Sequence, residues 1–193
     1  MKVIIIDYGA GNIQSIQFAF QRLGIQAVLS NSVDEILSAD KVIFPGVGEA
    51  SQAMEMLKKS KLDRLIPTLK QDVLGICLGM QLLCNHSEEG DTKGLGVFDV
   101  EVKRFTNAVK VPHMGWNTIQ NLQSDLLLEI PENSYMYSVH SYYAAIGAQT
   151  IASSRYELEF SAALQSNNFY GVQFHPEKSS KDGAQLLQNF LNL

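Results

Sequence analysis

The chain is poor in cysteine, proline and tryptophan, with two, five and one among its 193 residues. Two cysteines build no disulfide framework, and a reducing compartment keeps them as thiols. If a helix starts after Cys77, its rise to Cys84 is roughly 10 Å, too far for an unstrained disulfide. Positive charge is also scarce. Lys plus Arg number 15 against 20 Asp plus Glu, a formal charge of -5, and basic residues cluster only in short pairs such as Lys58-Lys59. Binding to a phosphate backbone is therefore not expected, and no nucleic-acid partner follows. No apolar run approaches the roughly 18 residues of a membrane span. The opening "MKVIIIDYG" is cut short by Asp7, where a secretion signal needs a longer apolar core and a cleavage site. A cytoplasmic protein without membrane association is the expectation. Repeats, low-complexity tracts and linkers are lacking too, so residues 1–193 are expected to form a single domain with one well-buried core.

What is present has two textures. Short β-branched runs recur early, at Val3 to Ile6, Ala27 to Leu29, Val42 to Phe44 and Val73 to Ile76. Between them lie segments of helical period, with Ile13, Ile16, Phe20 and Leu23 before Gly24, and Ala53, Met56 and Leu57 after "PGVGEA". Strands alternating with helices predict right-handed crossovers and a parallel sheet covered on both faces. From Gly94 onward the chain reads as mostly β and partly antiparallel: "GVFDVEVKRF", "WNTIQ", "YMYSV", "TIAS", "FSAAL" and "FYGVQF". Ala184, Leu187, Phe190 and Leu191 predict a closing helix.

Both cysteines fall in "GICLGMQLLC". Gly75-x-Cys77-x-Gly79, after a strand and before a helical run, has the form of a nucleophile elbow with cysteine in place of serine. Glycines at 75 and 79 would relieve the crowding of a sharp strand-to-helix turn. A thiol there sits at a helix N-terminus, which favours thiolate, and the Leu78 N–H points where an oxyanion forms. The same spacing also suits a buried cysteine in an ordinary strand-helix turn. Cys84, with no flanking glycine, reads as packing within the helix.

A nucleophile needs a base. His86 reads as an exposed helix end, and His113 and His140 as loop residues after strands. His175 directly follows the strand "YGVQF", is held by Pro176, and has Glu177 two residues on. Residues two apart in an extended segment point the same way, so one loop can present imidazole and carboxylate together. A surface ion pair at a strand end is the plainer alternative. Cys77, His140, His175 and Glu177 include possible zinc ligands, but neither C-x-x-C nor H-E-x-x-H spacing supports them, and no metal is expected. "PGVGEA" at Pro45 lacks the lysine and serine of a P-loop, and with "DYGAGN" it lacks the dinucleotide spacing. No cofactor is expected. The loop could instead supply a second N–H donor beside Cys77.

Taken together, G-I-C-L-G-M-Q and F-H-P-E-K-S resemble the class I (triad) glutamine amidotransferases over essentially the whole chain. The stretches "DYGAGN", "FPGVGEA", "VPHMGWN" and "VHSYY" resemble the branch that serves histidine biosynthesis. The resemblance implies a flavodoxin-like, mostly parallel sheet with helices on both faces. It implies Cys77 as nucleophile, His175 as general base and acid, and Glu177 orienting it. Backbone N–H groups of Leu78 and near Val47 would stabilise the oxyanion. L-glutamine would be held by Gly48, Gln81, Glu89 and the backbone of Ser138, Val139, His140 and Ser141. It further implies a heterodimer in which ammonia passes to a (β/α)-barrel cyclase/synthase subunit, with Asn12 and Met114, Gly115, Trp116 and Asn117 at the docking and gating surface. Trp116 alone could equally be a core aromatic. Ser180 departs from the glycine or small residue usual after the H-P-E. A pair that aminates sugars, a stand-alone amide hydrolase with the same triad, and a noncatalytic α/β module remain as alternatives.

Overall fold

The computed structural model describes residues 1–9, 13–106 and 108–193. The first half runs β1 (Val3–Ile6), α1 (Ile13–Arg22), β2 (Ala27–Ser30), α2 (Val33–Leu37), β3 (Lys41–Phe44), α3 (Ala50–Lys59), α4 (Leu62–Leu65), β4 (Asp72–Ile76) and α5 (Leu78–Leu83). The second runs β5 (Cys84–Ser87), β6 (Thr92–Lys93), β7 (Phe98–Arg104), β8 (His113–Thr118), β9 (Tyr135–His140), β10 (Tyr142–Ala144), β11 (Thr150–Arg155), β12 (Glu159–Ser166), β13 (Phe169–Val172) and α6 (Ser180–Asn192).

The main sheet has the order β2-β1-β3-β4-β13-β12-β10-β7-β5-β6, with β11 added beside β12. From β2 to β13 every neighbouring pair is parallel. Antiparallel pairing begins at β12. The two textures of the sequence are therefore two regions of one sheet. β1, β3 and β13 are buried along their whole length, as expected for strands covered on both faces. One apolar cluster joins Ile16 and Phe20 of α1 to Leu187 and Phe190 of α6, a second lies under α3 and α4 around Phe44 and Leu57, and a small third gathers Phe105, Tyr143 and Phe160. A separate ribbon pairs β8 with β9, setting His113 opposite His140 and Gly115 opposite Ser138.

The helix after Cys77 is shorter than its sequence suggests. It ends at Leu83, and Cys84 opens β5 with extended backbone, φ −72 and ψ 175. Backbone N–H groups of Leu95, Gly96 and Val97 bond the carbonyls of Leu82, Cys84 and Leu83, so strand pairing overrides helix propensity. Cys84 is fully buried, and burial pushes its thiol well above the usual range. His86, expected at a helix end, belongs to β5 and faces Asp91 at 2.8 Å and Glu101 at 3.4 Å.

The fold gathers four chain segments at one edge. Asp7 and Tyr8 follow β1, Pro45 to Gly48 follow β3, Cys77 follows β4, and Gln173 to His175 follow β13. Carboxyl ends of parallel strands are where α/β sheets place their ligand sites.

Candidate active site

Cys77 adopts φ 54 and ψ −112, a conformation that residues with side chains rarely take. Its backbone N–H is held by the Val172 carbonyl at 2.8 Å. The flanking glycines make this turn possible. A Cβ on Gly79 would lie 2.0 Å from the Phe44 carbonyl oxygen, and one on Gly75 would lie 2.9 Å from the Met80 nitrogen. A strained residue between two close backbone approaches is the geometry of a nucleophile elbow. Leu78 is the first residue of α5, where backbone N–H groups lack intrahelical acceptors and can meet an oxyanion.

The loop after β3 packs directly on this elbow. A Cβ on Gly46 would sit 2.5 Å from the Gly79 nitrogen, and Gly48 has φ +99. The buried Tyr8 hydroxyl donates to the Pro45 carbonyl at 2.8 Å and so anchors the loop from β1. Burial and the nearby Cys77 charge keep that hydroxyl protonated, far above its ordinary range.

His175 Nδ1–H donates to Glu177 Oε1 at 2.8 Å, and both side chains are buried. With Nδ1 occupied, Nε2 is the nitrogen left for Cys77. Burial by itself lowers the imidazole pKa. Interactions with Cys77 and Glu177 outweigh that and carry it from 6.5 up to about 10. The backbone supports the pair as well: His175 N–H bonds the Tyr137 carbonyl at 2.8 Å, and the Ser179 hydroxyl donates to the His175 carbonyl at 2.6 Å. A thiol, an imidazole that carries a proton at neutral pH, and a carboxylate behind it can perform acyl transfer with protonation of an amine leaving group.

These residues open on a cavity of about 390 Å³, within the range of small-ligand pockets. Cys77, Leu78, Val47, Gly48, Gln81, Glu89, Val139, His140, Ser141 and His175 all line it. Ser138 does not; it is buried in the ribbon opposite Gly115. Glu89 reaches the cavity wall while its Oε2 accepts the Ala50 N–H at 2.9 Å, so part of the carboxylate caps α3. Burial raises its pKa, the Ala50 bond opposes this, and Glu49 adds to it. Pro112, Tyr142 and Lys178 complete the lining without having been singled out from sequence. Gln173 was missed too, although it is 1% exposed and bonded beside Cys77. Its only sequence signal is a polar residue inside the apolar run "YGVQF".

The second histidine of the cavity is kept neutral. His140 Nδ1–H donates to the Tyr142 carbonyl at 2.7 Å, which leaves Nε2 to accept from His113 Nδ1–H at 3.1 Å. Burial holds both imidazoles below their usual range, His140 down to about 3. His175 is thus the imidazole of this cavity that carries a second proton, and with it a positive charge, near neutral pH.

On β8, Met114 and Trp116 are 63% and 52% exposed, which places the tryptophan at the surface rather than in the core. Gly115 has φ +131, and Asn117 Nδ2 donates to the Arg155 carbonyl at 2.9 Å. Asn12 lies outside the described residues. Ser180 takes φ 54, a left-handed backbone that explains why glycine suits this position. Among the described residues no three or more His, Cys, Asp or Glu side chains gather to hold a metal ion. No helix of the described residues is long and apolar enough to cross a membrane.

The family model "Glutamine amidotransferase class-I" matches residues 4–193. A Bacteroides fragilis protein named imidazole glycerol phosphate synthase subunit HisH is 53% identical, with all of both chains covered. A Vibrio parahaemolyticus protein of the same name is 48% identical over all of this chain and 98% of that one. Among solved structures, a putative GMP synthase protein from Thermoplasma acidophilum matches with a TM-score of 0.76 at 18% identity, covering 100% of this chain and 92% of that chain. PurLQS from Thermotoga maritima matches with a TM-score of 0.73 at 16% identity, covering 99% and 97%. At such identities these two likenesses speak for the fold alone.

Proposed function

The chain belongs to the class-I glutamine amidotransferases, and from that premise we propose that it is the glutaminase subunit of an imidazole glycerol phosphate synthase, acting as one amidotransferase domain in the cytoplasm. The observation that carries this reading is the buried His175–Glu177 pair, whose imidazole opens on the same cavity as Cys77 at its strained turn.

In this reading L-glutamine enters the cavity with its carboxamide carbon against Cys77. The thiolate attacks that carbon, and the carbonyl oxygen becomes an oxyanion facing the Leu78 N–H and a backbone N–H near Val47. His175 passes its proton to the amide nitrogen, the C–N bond breaks, and ammonia leaves. A water then gives a proton back to His175 and adds to the thioester, releasing glutamate and restoring the thiolate. Glu177 holds the imidazole orientation throughout and supports its positive charge. Gln81 commits its amide nitrogen to Tyr142 and Gln173, so its oxygen is the atom available to the substrate ammonium.

Ammonia needs an acceptor. The relatives are named as one subunit of a synthase, so this chain has a partner subunit. We assign that role to a (β/α)-barrel cyclase/synthase that turns a phosphoribulosyl intermediate into imidazole glycerol phosphate and an aminoimidazole carboxamide nucleotide. The exposed Met114 and Trp116 suit its docking surface. Glutaminase activity measured with and without the barrel partner and its phosphorylated ligand tests the reading. Strong activation by both is expected, whereas full turnover by the chain alone would point to a stand-alone hydrolase.

A further inference from the structure

We propose that Gln173 is a further catalytic residue, whose side-chain N–H binds the Cys77 sulfur and stabilises its thiolate. The inference rests on Cys77 being the nucleophile. Gln173 Nε2 lies 3.8 Å from Cys77 Sγ, and the side chain is buried.

Which end of the Gln173 amide meets the sulfur follows from a chain of hydrogen bonds that begins at a backbone atom. The Tyr142 carbonyl can only accept, so the Gln81 atom 2.9 Å from it must be the amide nitrogen. The second N–H of that nitrogen reaches the Gln173 side chain at 2.8 Å, so an oxygen must stand there. The nitrogen of Gln173 is therefore turned toward Cys77. A flipped Gln173 would set two donors against each other beside Gln81. The Tyr142 carbonyl also accepts from His140 Nδ1 at 2.7 Å, which pins that acceptor from a second direction.

The sulfur lies between opposing influences. The Val139 carbonyl oxygen, 3.9 Å away, can accept from the thiol and disfavours a negative charge. The Gln173 N–H and the His175 imidazolium favour one. Gln173 thereby offsets the carbonyl before substrate arrives and gives up its hold as the sulfur loses charge on attacking glutamine. The backbone helps to keep it there: Gln173 N–H bonds the Ala162 carbonyl at 2.9 Å, one residue beyond β13.

Gln173→Met keeps the length of the side chain and removes the donor. Carboxamidomethylation of Cys77 by iodoacetamide, followed by peptide mass spectrometry across pH in the full-length chain, reads the consequence. The midpoint of the Cys77 profile is expected to rise by on the order of one pH unit. Gln173→Glu replaces the donor with an acceptor of the same shape and should raise it further, which keeps the test open if the methionine variant does not fold. A loss of stability with an unchanged midpoint in the folded variants would overturn the Gln173 assignment alone. If wild-type Cys77 reacts no faster than Cys84, the nucleophile reading fails, and this inference falls with it.

Discussion

Two positions apart in the chain, His175 and Glu177 bring Nδ1 and Oε1 to 2.8 Å in a buried pair behind Cys77. The Glu177 carboxylate has its other oxygen, Oε2, buried with no protein donor among the described residues. Its charge is therefore directed largely at the imidazole.

Against the opposing effect of burial, interactions with Cys77 and Glu177 raise the His175 pKa on folding from 6.5 to about 10, so the charged imidazole stabilises the fold fully below pH 6.5 and loses that contribution as pH climbs through about 10. Urea unfolding at pH 6 and pH 9.5 should show a smaller drop in stability for Glu177→Gln than for the wild type. His175→Ala should lower kcat for glutamine by about 10²–10⁴-fold, the usual weight of a general acid and base.

Gly79→Ala forces a methyl group to 2.0 Å from the Phe44 carbonyl oxygen. Overpacking of this kind costs about 1–3 kcal/mol, measurable by denaturant titration. Because the turn itself must shift, the Cys77 preference over Cys84 for alkylation should be lost in the same variant.

Tyr8→Phe removes the donor from the buried Pro45 carbonyl. An unsatisfied buried acceptor costs about 1–3 kcal/mol. Since that bond anchors the loop bearing Val47, kcat for glutamine should fall while the Gln81 side of the cavity, and with it KM, changes little. Steady-state kinetics at saturating partner separates the two.

Trp116→Ala deletes an exposed aromatic from β8 without touching the core. Titration calorimetry with the barrel subunit should show affinity weakened by about ten- to a hundredfold, with the melting temperature of the chain alone nearly unchanged.

The parts of the site legible in sequence are those fixed over a few residues. Gly75 and Gly79 announce the elbow by their spacing around Cys77, although only the Gly75 clash lies within the turn and the Gly79 clash is with the distant Phe44 carbonyl; His175 with Glu177 needs only a short loop after β13. β1, β3 and β4 are legible because burial on both faces leaves continuous apolar runs, whereas β2 keeps its apolar run at the sheet edge with Val28 and Leu29 exposed. Cys84 was not, because the helix stops where β7 pairs with the chain, a contact invisible in local propensity. Gln173 and Tyr142 escaped for the same reason. Their meaning comes from hydrogen bonds to Gln81, across 92 and 61 positions of the chain. The meeting of Cys77 with His175 lies in between, since each half is legible locally while their approach depends on β4 and β13 being parallel neighbours.

The division of labour between this chain and its partner is tested most directly by Cys77→Ala in the reconstituted pair. Glutamine-dependent synthesis of imidazole glycerol phosphate should be abolished while synthesis from added ammonium salt proceeds at the wild-type rate. Retained glutamine-dependent synthesis, or loss of both activities in a properly assembled complex, would contradict the account.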